Sequence, residues 1–336
     1  MNPPDNERMD ISLVRQYCPK FRVLIIGKAN AGKTTILQKV CNTTENPTAV
    51  DTTGRRMSLS LLKPSAGRGQ HDIEQGYVFS GRDNFVFHDS RGFEAGTTAE
   101  LERAKAFIKK RSSYTHIKNR LHAVWYCIPS DTPRLLLEDE TSFFKECQDG
   151  KVPVVAIFTK FDYRHKEAMA QLIEGGMERP AARLAAPSRA KEDFEAKYIT
   201  RLYKRSYPPQ RHVYVYDMHL PMSNCDQLIL ATVDSLNDLS LKHLFVSTQK
   251  NRIHLYVGYA IEHVLKNQQK RRNGLRRHEM KNIVLNCINW FPVNQLEYFT
   301  KYHPSLESGG KLSVIPHLAV TFYSFISNRT QKKQEA

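Results

Sequence analysis

The chain has 336 residues, a net charge of +16 and 40% hydrophobic residues. This length suits one large domain plus a smaller one, and the positive charge favours anionic partners such as phosphates, acidic lipids or nucleic acids. The six cysteines are far apart and form no C-x-x-C pair, which argues against a disulfide framework and a zinc site. No stretch has the pattern of a secretory signal or a membrane span, so we expect a cytoplasmic protein.

The first half of the chain predicts a strand, a loop, a helix and a hairpin. Residues 1–19 are mostly polar and predict a flexible lead. The apolar run from Phe21 to Ile26 predicts a buried strand that stops at Gly27, and "KTTILQKVC" after it has helical spacing. The polar stretch from Asn42 to Arg56 predicts a mobile loop. "GYVFSGRDNFVFHD" then predicts an antiparallel hairpin that turns at Gly81-Arg82-Asp83.

From there on, helical patterns alternate with apolar strands. The predicted strands are 121–128, 152–158 and 212–216, and the predicted helices include 97–111, 135–147 and 224–236. Apolar strands separated by helices indicate an α/β fold with a mostly parallel sheet and helices on both faces. The strand signals fade after residue 238. We therefore predict a main domain over 20–238 and a smaller, basic, helical region over 239–336.

The stretch from Gly27 to Thr34 fits the pattern G-x-x-x-x-G-K-[ST] between a predicted strand and a predicted helix. Glycines let backbone N–H groups turn towards a phosphate, and the positive end of the helix adds to their attraction. Lys33 is expected to reach the β- and γ-phosphates, and Thr34 to offer its hydroxyl to Mg²⁺. The expected phosphate contacts are Gly27, Lys28, Ala29, Asn30, Ala31, Gly32, Lys33, Thr34 and Thr35.

A second motif, Thr159-Lys160-Phe161-Asp162, directly follows a predicted buried strand. The carboxylate of Asp162 can accept hydrogen bonds from guanine N1–H and from the exocyclic amino group, whereas adenine presents an acceptor at N1. An unmatched buried polar group costs about 1–3 kcal/mol, so this carboxylate predicts selection of guanine. Lys160 can lay its aliphatic stem along the base.

Together with Asp89-x-x-Gly92, these motifs resemble those of the P-loop GTPases from about Phe21 to Leu236. The resemblance implies a G domain that binds GTP and GDP with Mg²⁺. By that family's pattern the metal ligands are Thr34, Asp89 and Thr52, which is preferred to Thr53. The Gly92 N–H contacts the γ-phosphate. The loop 42–56 is the first switch. The stretch from His71 to Gly96 also resembles G-domain proteins of mushroom-forming fungi. Asp217-Met218-His219 departs from the family's last base-binding motif.

The expected chemistry is slow GTP hydrolysis, because Phe93 follows Gly92 where many switches carry a glutamine that orients water. The form G-x-x-N-x-G-K-T resembles the Era- and septin-like branch, and in some members of that branch the matching asparagine helps to hold K⁺. Asn30 therefore either binds K⁺ or only stabilises the loop. The expected catalytic set is Lys33, Thr52, Asn30 and Gly92.

Two other functions stay open at this point. The first is a non-hydrolysing GTP-binding scaffold or membrane-surface interaction module, which Phe93 favours. The second is a P-loop ATPase or small-molecule kinase, which Asp162 argues against.

The C-terminal region suggests partners other than the nucleotide. Between residues 266 and 281 it has seven lysines and arginines against one acid, Glu279. This run is either a solvated helix face or a surface for anionic membranes. Aromatic residues are not interleaved with these charges, so nucleic acid is not the expected partner there. We also expect a homodimer through the G domain, and the sequence identifies no effector.

Overall fold

The computed structural model describes residues 11–50, 73–90, 98–132, 135, 139–149 and 151–249. The chain divides into two compact units. One unit is Lys20–Leu241 and contains the sheet. The described part of the other unit consists of residues 11–19 and 242–249.

The sheet has seven strands in the order β2-β3-β4-β1-β5-β6-β7. β3 runs antiparallel to both of its neighbours, and every other pairing is parallel. The strands are β1 Phe21–Gly27, β2 Thr48–Val50, β3 Gly76–Val78, β4 Phe85–Asp89, β5 Ala123–Pro129, β6 Val154–Thr159 and β7 Arg211–Tyr214. This mostly parallel arrangement with one reversed strand confirms the predicted α/β fold class of a G domain.

Nine α-helices lie within the described residues. They are α1 Ile11–Tyr17, α2 Lys33–Cys41, α3 Thr98–Ser112, α4 Asp139–Asp149, α5 Asp162–Glu174, α6 Arg179–Phe194, α7 Thr200–Tyr203, α8 Asp226–Ser235 and α9 Leu239–Thr248. A π-helical turn, Glu195–Ile199, joins α6 to α7. Helix α1 occupies part of the lead that was expected to be flexible. None of the helices in the described ranges is long and apolar enough to span a membrane.

Helices cover both faces of the sheet, as predicted. Alternate residues of the central strands, such as Leu24 and Tyr126, pack into one large core cluster with residues of α3, α4, α5 and α6. Trp125 is fully buried and its Nε1 donates a hydrogen bond to Thr232 Oγ1 of α8 at 3.0 Å. Because neighbouring residues of a strand face opposite sides, Trp125 and α8 lie on the other face. Strands buried on both sides read as continuous apolar runs, which is why the sequence revealed them.

The hairpin between β3 and β4 is confirmed, with its turn at Gly81, whose φ is 69°. The prediction of a continuous loop from Asn42 to Arg56 is wrong over Thr48–Val50, which forms β2. β2 pairs with β3, and Val50 packs with Val78 and Val86. Three residues are too few for a recognisable alternating pattern, so tertiary pairing defines this strand.

Candidate functional site

The phosphate-loop motif connects the C-terminal end of β1 to the first turn of α2. A Cβ on Gly27 would lie 2.4 Å from the carbonyl oxygen of Cys127 on β5, so this position admits only glycine. Gly32 has φ 77° and ψ 18°, a left-handed conformation, and α2 begins at the next residue, Lys33. The positive end of α2 therefore lies against the loop, as an anion site requires.

Lys33 folds back over this loop. Its Nζ donates hydrogen bonds to the carbonyl oxygens of Gly27 at 3.2 Å and Lys28 at 3.3 Å. The ammonium group thus lies beside the backbone of the loop between β1 and α2. Asn30 has φ 58° and an exposed side chain, and Thr34 is exposed in the first turn of α2. The charged and hydroxyl groups of the motif are within one short segment and accessible from outside.

Asp89 lies at the end of β4, next to β1, where it is paired with Ile25. Lys33 and Asp89 both act electrostatically on the thiol of Cys127. Burial raises the pKa of this thiol to about 12, while the nearby Lys33 ammonium lowers it and the Asp89 carboxylate raises it. The carboxylate of Asp89 and the hydroxyl of Thr34 are hard oxygen donors, the type that Mg²⁺ prefers. These residues therefore fit the predicted metal.

The Thr159-Lys160-Phe161-Asp162 motif follows β6, which is two strands from β1 in the sheet. Neighbouring strands are about 5 Å apart, so β6 lies about 10 Å from β1. Lys160 has φ 53°, and its Nζ donates a hydrogen bond to Asp131 Oδ2 at 2.7 Å. Asp131 follows the end of β5, the strand between β1 and β6. The ion pair thus fixes Lys160 at the edge that also carries the phosphate loop.

Asp162 begins α5 and contacts the loop after β7. Its Oδ1 accepts a hydrogen bond from the backbone N–H of Asp217 at 3.3 Å. In the same loop, the carbonyl oxygens of Leu220 and Pro221 accept hydrogen bonds from Lys39 Nζ at 2.6 and 3.2 Å. Since Lys39 belongs to the helix that starts at Lys33, the carboxylate of Asp162 is connected to the start of α2 through the loop after β7.

One imidazole lies on the same side as Asp162. The ring of His165 is 5.2 Å from that of Tyr216. Burial lowers the pKa of His165, while Asp217 and Asp162 raise it. The neutral imidazole of His165 is therefore favoured at neutral pH, and the cation that pairs with Asp162 is Lys166, whose Nζ is 3.5 Å from Asp162 Oδ2.

The predicted contacts from Gly27 to Thr35, together with Asp89, Thr159, Lys160 and Asp162, lie at the C-terminal ends of β1, β4 and β6, which share one edge of the sheet. Thr52 and Gly92 lie outside the described residues, as does Phe93. Their predicted roles stay predictions.

Three groups that position the candidate site were not predicted from the sequence: Lys39, Asp131 and the backbone N–H of Asp217. Asp131 carried a usable signal, because it follows a predicted strand at the same edge as Lys160. Lys39 and Asp217 carried none, since each depends on where the loop after β7 meets other elements.

No family model matches the chain, and no curated protein matches it. Among solved structures, it is similar to a mutation variant of SsGBP at 15% identity and TM-score 0.30, covering 64% of this chain and 56% of that one. It is also similar to the septin GTPase domain from Chlamydomonas reinhardtii at 17% identity and TM-score 0.29, covering 56% and 62%.

A third similar structure is a GTP-binding protein from the hyperthermophilic archaeon Sulfolobus solfataricus in complex with GDP. The identity is 13% and the TM-score 0.29, with 66% of this chain and 52% of that one covered. The chain thus spans between 52% and 62% of the length of these three proteins. TM-scores near 0.30 are too low for the likenesses to carry an argument about the site.

Proposed function

We propose that this protein binds GTP and GDP, with Mg²⁺, across the C-terminal edge of its sheet. One observation carries the proposal: the carboxylate of Asp162 contacts the loop after β7, and Lys39 of α2 holds that same loop. A helix that begins at a phosphate-binding lysine is thereby joined to the group that would select the base. Ligands of open α/β sheets bind at this edge.

Each end of the nucleotide meets a suitable chemical group. Backbone N–H groups of the phosphate loop and Lys33 bind the β- and γ-phosphates, and Lys33 exchanges its two carbonyl contacts for phosphate oxygens. Thr34 and Asp89 hold Mg²⁺, which neutralises phosphate charge when bound. Asp162 accepts two hydrogen bonds from guanine, and Lys160 is held beside the base by Asp131.

The proposed activity is slow GTP hydrolysis coupled to a nucleotide-dependent switch. Phe93 has no group that orients water, so the reaction relies on charge stabilisation by Lys33, the Gly92 N–H and the metal bound through Thr52. Asn30 adds a K⁺ ligand in this proposal, since its side chain is exposed on the phosphate loop. Turnover faster in potassium than in sodium buffer supports the K⁺ site, and equal rates contradict it.

A non-hydrolysing GTP-binding scaffold is the second candidate, favoured by Phe93. Single-turnover assays with GTP in excess Mg²⁺ separate the two candidates. If the wild type releases phosphate and Lys33→Ala does not, the result supports the enzyme. Stable GTP binding without phosphate release supports the scaffold.

The proposal places the protein in the cytoplasm, with its basic C-terminal region against anionic membrane surfaces and its G domain forming a homodimer. Flotation with phosphatidylserine vesicles tests the first partner. Sedimentation in GTP and in GDP tests the second. Salt-insensitive or absent vesicle binding contradicts the membrane role, and a monomer in both nucleotides contradicts the dimer.

Equilibrium binding of fluorescent GTP to Lys33→Ala tests the nucleotide site itself. We expect affinity to fall about a hundredfold or more, because a charge-assisted phosphate contact is lost at the centre of the loop. Lys191→Ala is the control, since Lys191 is exposed on α6 and pairs with Glu195 at 3.8 Å. Unchanged affinity in Lys33→Ala would show that the phosphate site is elsewhere.

A further inference from the structure

A second positively charged surface lies outside the proposed nucleotide site. Residues 196–216 contain five lysines and arginines, five tyrosines and no aspartate or glutamate. The segment covers most of the π-helical turn, all of α7 and all of β7. We call its five cations the basic patch: Lys197, Arg201, Lys204, Arg205 and Arg211. Cations and aromatic rings alternate here, a pattern that the C-terminal basic run lacks.

Three of these cations lie on the exposed side of the π-helical turn, of α7 and of the turn that follows α7. Lys197, Arg201 and Lys204 are exposed at spacings of four and three residues, while Ile199 and Leu202 between them are buried. Within the described ranges, no carboxylate forms an ion pair with any of the three. Their positive charge is therefore available to a partner.

The carboxylates on the preceding helical turns do not cancel this charge. Asp193 accepts a hydrogen bond from Arg189 Nε at 2.8 Å, and Glu195 pairs with Lys191 at 3.8 Å. Each acid thus already has a cation four residues earlier on the same helix. The basic patch begins where these pairs end, which leaves a local excess of positive charge.

Tyr203 provides an aromatic surface among these cations. Its side chain is 38% exposed, and its hydroxyl is 3.0 Å from His212 Nδ1. This contact fixes the orientation of the ring, so little side-chain entropy is lost when a partner stacks on it. From residue 196 to residue 215, no leucine, isoleucine, phenylalanine or methionine is exposed. A membrane surface would call for such residues, whereas a stacked base calls for a ring.

A cavity of about 150 Å³ lies beside the patch, between α5 and the π-helical turn. Its walls include the rings of Phe194 and Tyr198, and Lys197 of the basic patch. Two carboxylates, Glu167 and Asp193, also line it, and they pair with Arg164 and Arg189. The Nε of Arg164 is buried and has no hydrogen-bond partner among the described residues. A cavity of this size holds about one six-membered aromatic ring. It offers ring faces next to Lys197.

We propose that the basic patch binds single-stranded nucleic acid, with its cations on successive phosphates and Tyr203 stacked on a base. The patch lies near the start of β7, whereas the proposed nucleotide site follows the ends of parallel strands. Arg211 and Tyr203, which contacts His212, thus lie towards the opposite end of the sheet, whereas Lys197 and the cavity lie beside Arg164 in the first turn of α5. The two sites share no residue, and this inference does not depend on the nucleotide assignment.

Fluorescence anisotropy with labelled oligo(U), in saturating GTP and Mg²⁺, tests the charge contribution. We expect Arg201→Ala with Lys204→Ala to weaken binding by about tenfold or more and to reduce the salt slope by about 0.7 per cation. The control is Arg179→Ala with Arg183→Ala, which removes the same charge from exposed positions at the other end of α6. Equal losses in the two double variants would overturn the assignment to this patch.

The ring is tested by Tyr203→Ala beside Tyr203→Phe. Loss of stacking weakens oligo(U) binding by about fivefold or more, whereas phenylalanine retains the ring and most of the affinity. Lys33→Ala should bind oligo(U) like the wild type, which separates this site from the nucleotide site. No oligo(U) binding by the wild type overturns the proposal, as does binding only to phosphatidylserine vesicles through the same residues.

Discussion

Gly27 lies where the phosphate loop leaves β1, directly beside β5. A Cβ there would be 2.4 Å from the Cys127 carbonyl oxygen and 2.8 Å from its Cβ. At Gly32 a Cβ would meet nothing within 4 Å, and only its φ of 77° favours glycine. Two glycines of one motif therefore serve different purposes, close packing at one and backbone conformation at the other.

This difference predicts unequal costs for the two alanine substitutions. Gly27→Ala must push β1 and β5 apart and should lower the free energy of unfolding by about 2–3 kcal/mol, with loss of nucleotide binding. Gly32→Ala should cost only about 1 kcal/mol for its left-handed backbone. Urea unfolding of both variants checks this order. A larger cost at Gly32 would contradict the packing account.

Asp162 predicts base specificity through the hydrogen bonds that its two oxygens accept. Asp162→Asn replaces one acceptor with a donor, which leaves guanine mismatched and suits xanthine, whose C2 position carries a carbonyl. We expect GTP affinity to fall by about tenfold or more, since one mismatch costs about 1–3 kcal/mol, and xanthosine triphosphate affinity to rise.

Competition binding with the two nucleotides measures the change in preference. Asp193→Asn is the control, because Asp193 is exposed on α6 and pairs with Arg189. A preference that stays with GTP in Asp162→Asn would place the base elsewhere.

Two buried histidines make the stability of the sheet depend on pH. On β4, His88 Nδ1 is 3.0 Å from the Ile73 carbonyl oxygen, and burial lowers its pKa to about 3. Before β5, His122 Nδ1 accepts a hydrogen bond from Arg22 N–H, and burial lowers its pKa to about 4. Both imidazoles are therefore neutral in the folded protein.

Stability should consequently fall in acid. A histidine whose pKa is lowered on folding contributes fully above its unfolded pKa of about 6.5, and this contribution is lost as the pH falls towards the folded value. When the pH falls from 7 to 5, we expect each histidine to lower the free energy of unfolding by about 2 kcal/mol, because its unfolded form gains a proton that its folded form does not.

Urea unfolding at the two pH values tests this expectation. His122→Gln should reduce the pH dependence, while the exposed His116→Gln should leave it unchanged. Equal stability of the wild type at both values would contradict the account.

The elements that could be predicted from sequence are those whose signals are local. β1, β5 and β6 are continuous apolar runs because both of their faces are covered, and α2 follows directly from its motif. β2 could not be predicted, since three residues become a strand only by pairing with β3.

The site divides in the same way. Gly27 to Thr34 and Thr159 to Asp162 are local motifs, and the sequence identified them. The ion pair between Lys160 and Asp131 joins residues 29 positions apart, and the contacts of Lys39 join residues 181 and 182 apart. Such contacts depend on strand order, which single motifs do not specify.

At the scale of the whole molecule, the predicted nucleotide residues and the basic patch are two different sets of side chains on the sheet and its helices. The predicted nucleotide residues follow the C-terminal ends of β1, β4 and β6, and the basic patch lies near the start of β7. A net charge of +16 raises the local concentration of any polyanion, so specificity must come from fixed groups such as Asp162 and Tyr203. Nucleotide and nucleic acid would then bind without competing for the same side chains.

Competition against fluorescent GTP, with the intact protein in Mg²⁺, tests the central claim most directly. GTP and GDP should both displace the probe, and ATP should be weaker by about thirtyfold or more, because adenine leaves the Asp162 carboxylate unmatched. Displacement by ATP at the same concentration as GTP would contradict the account.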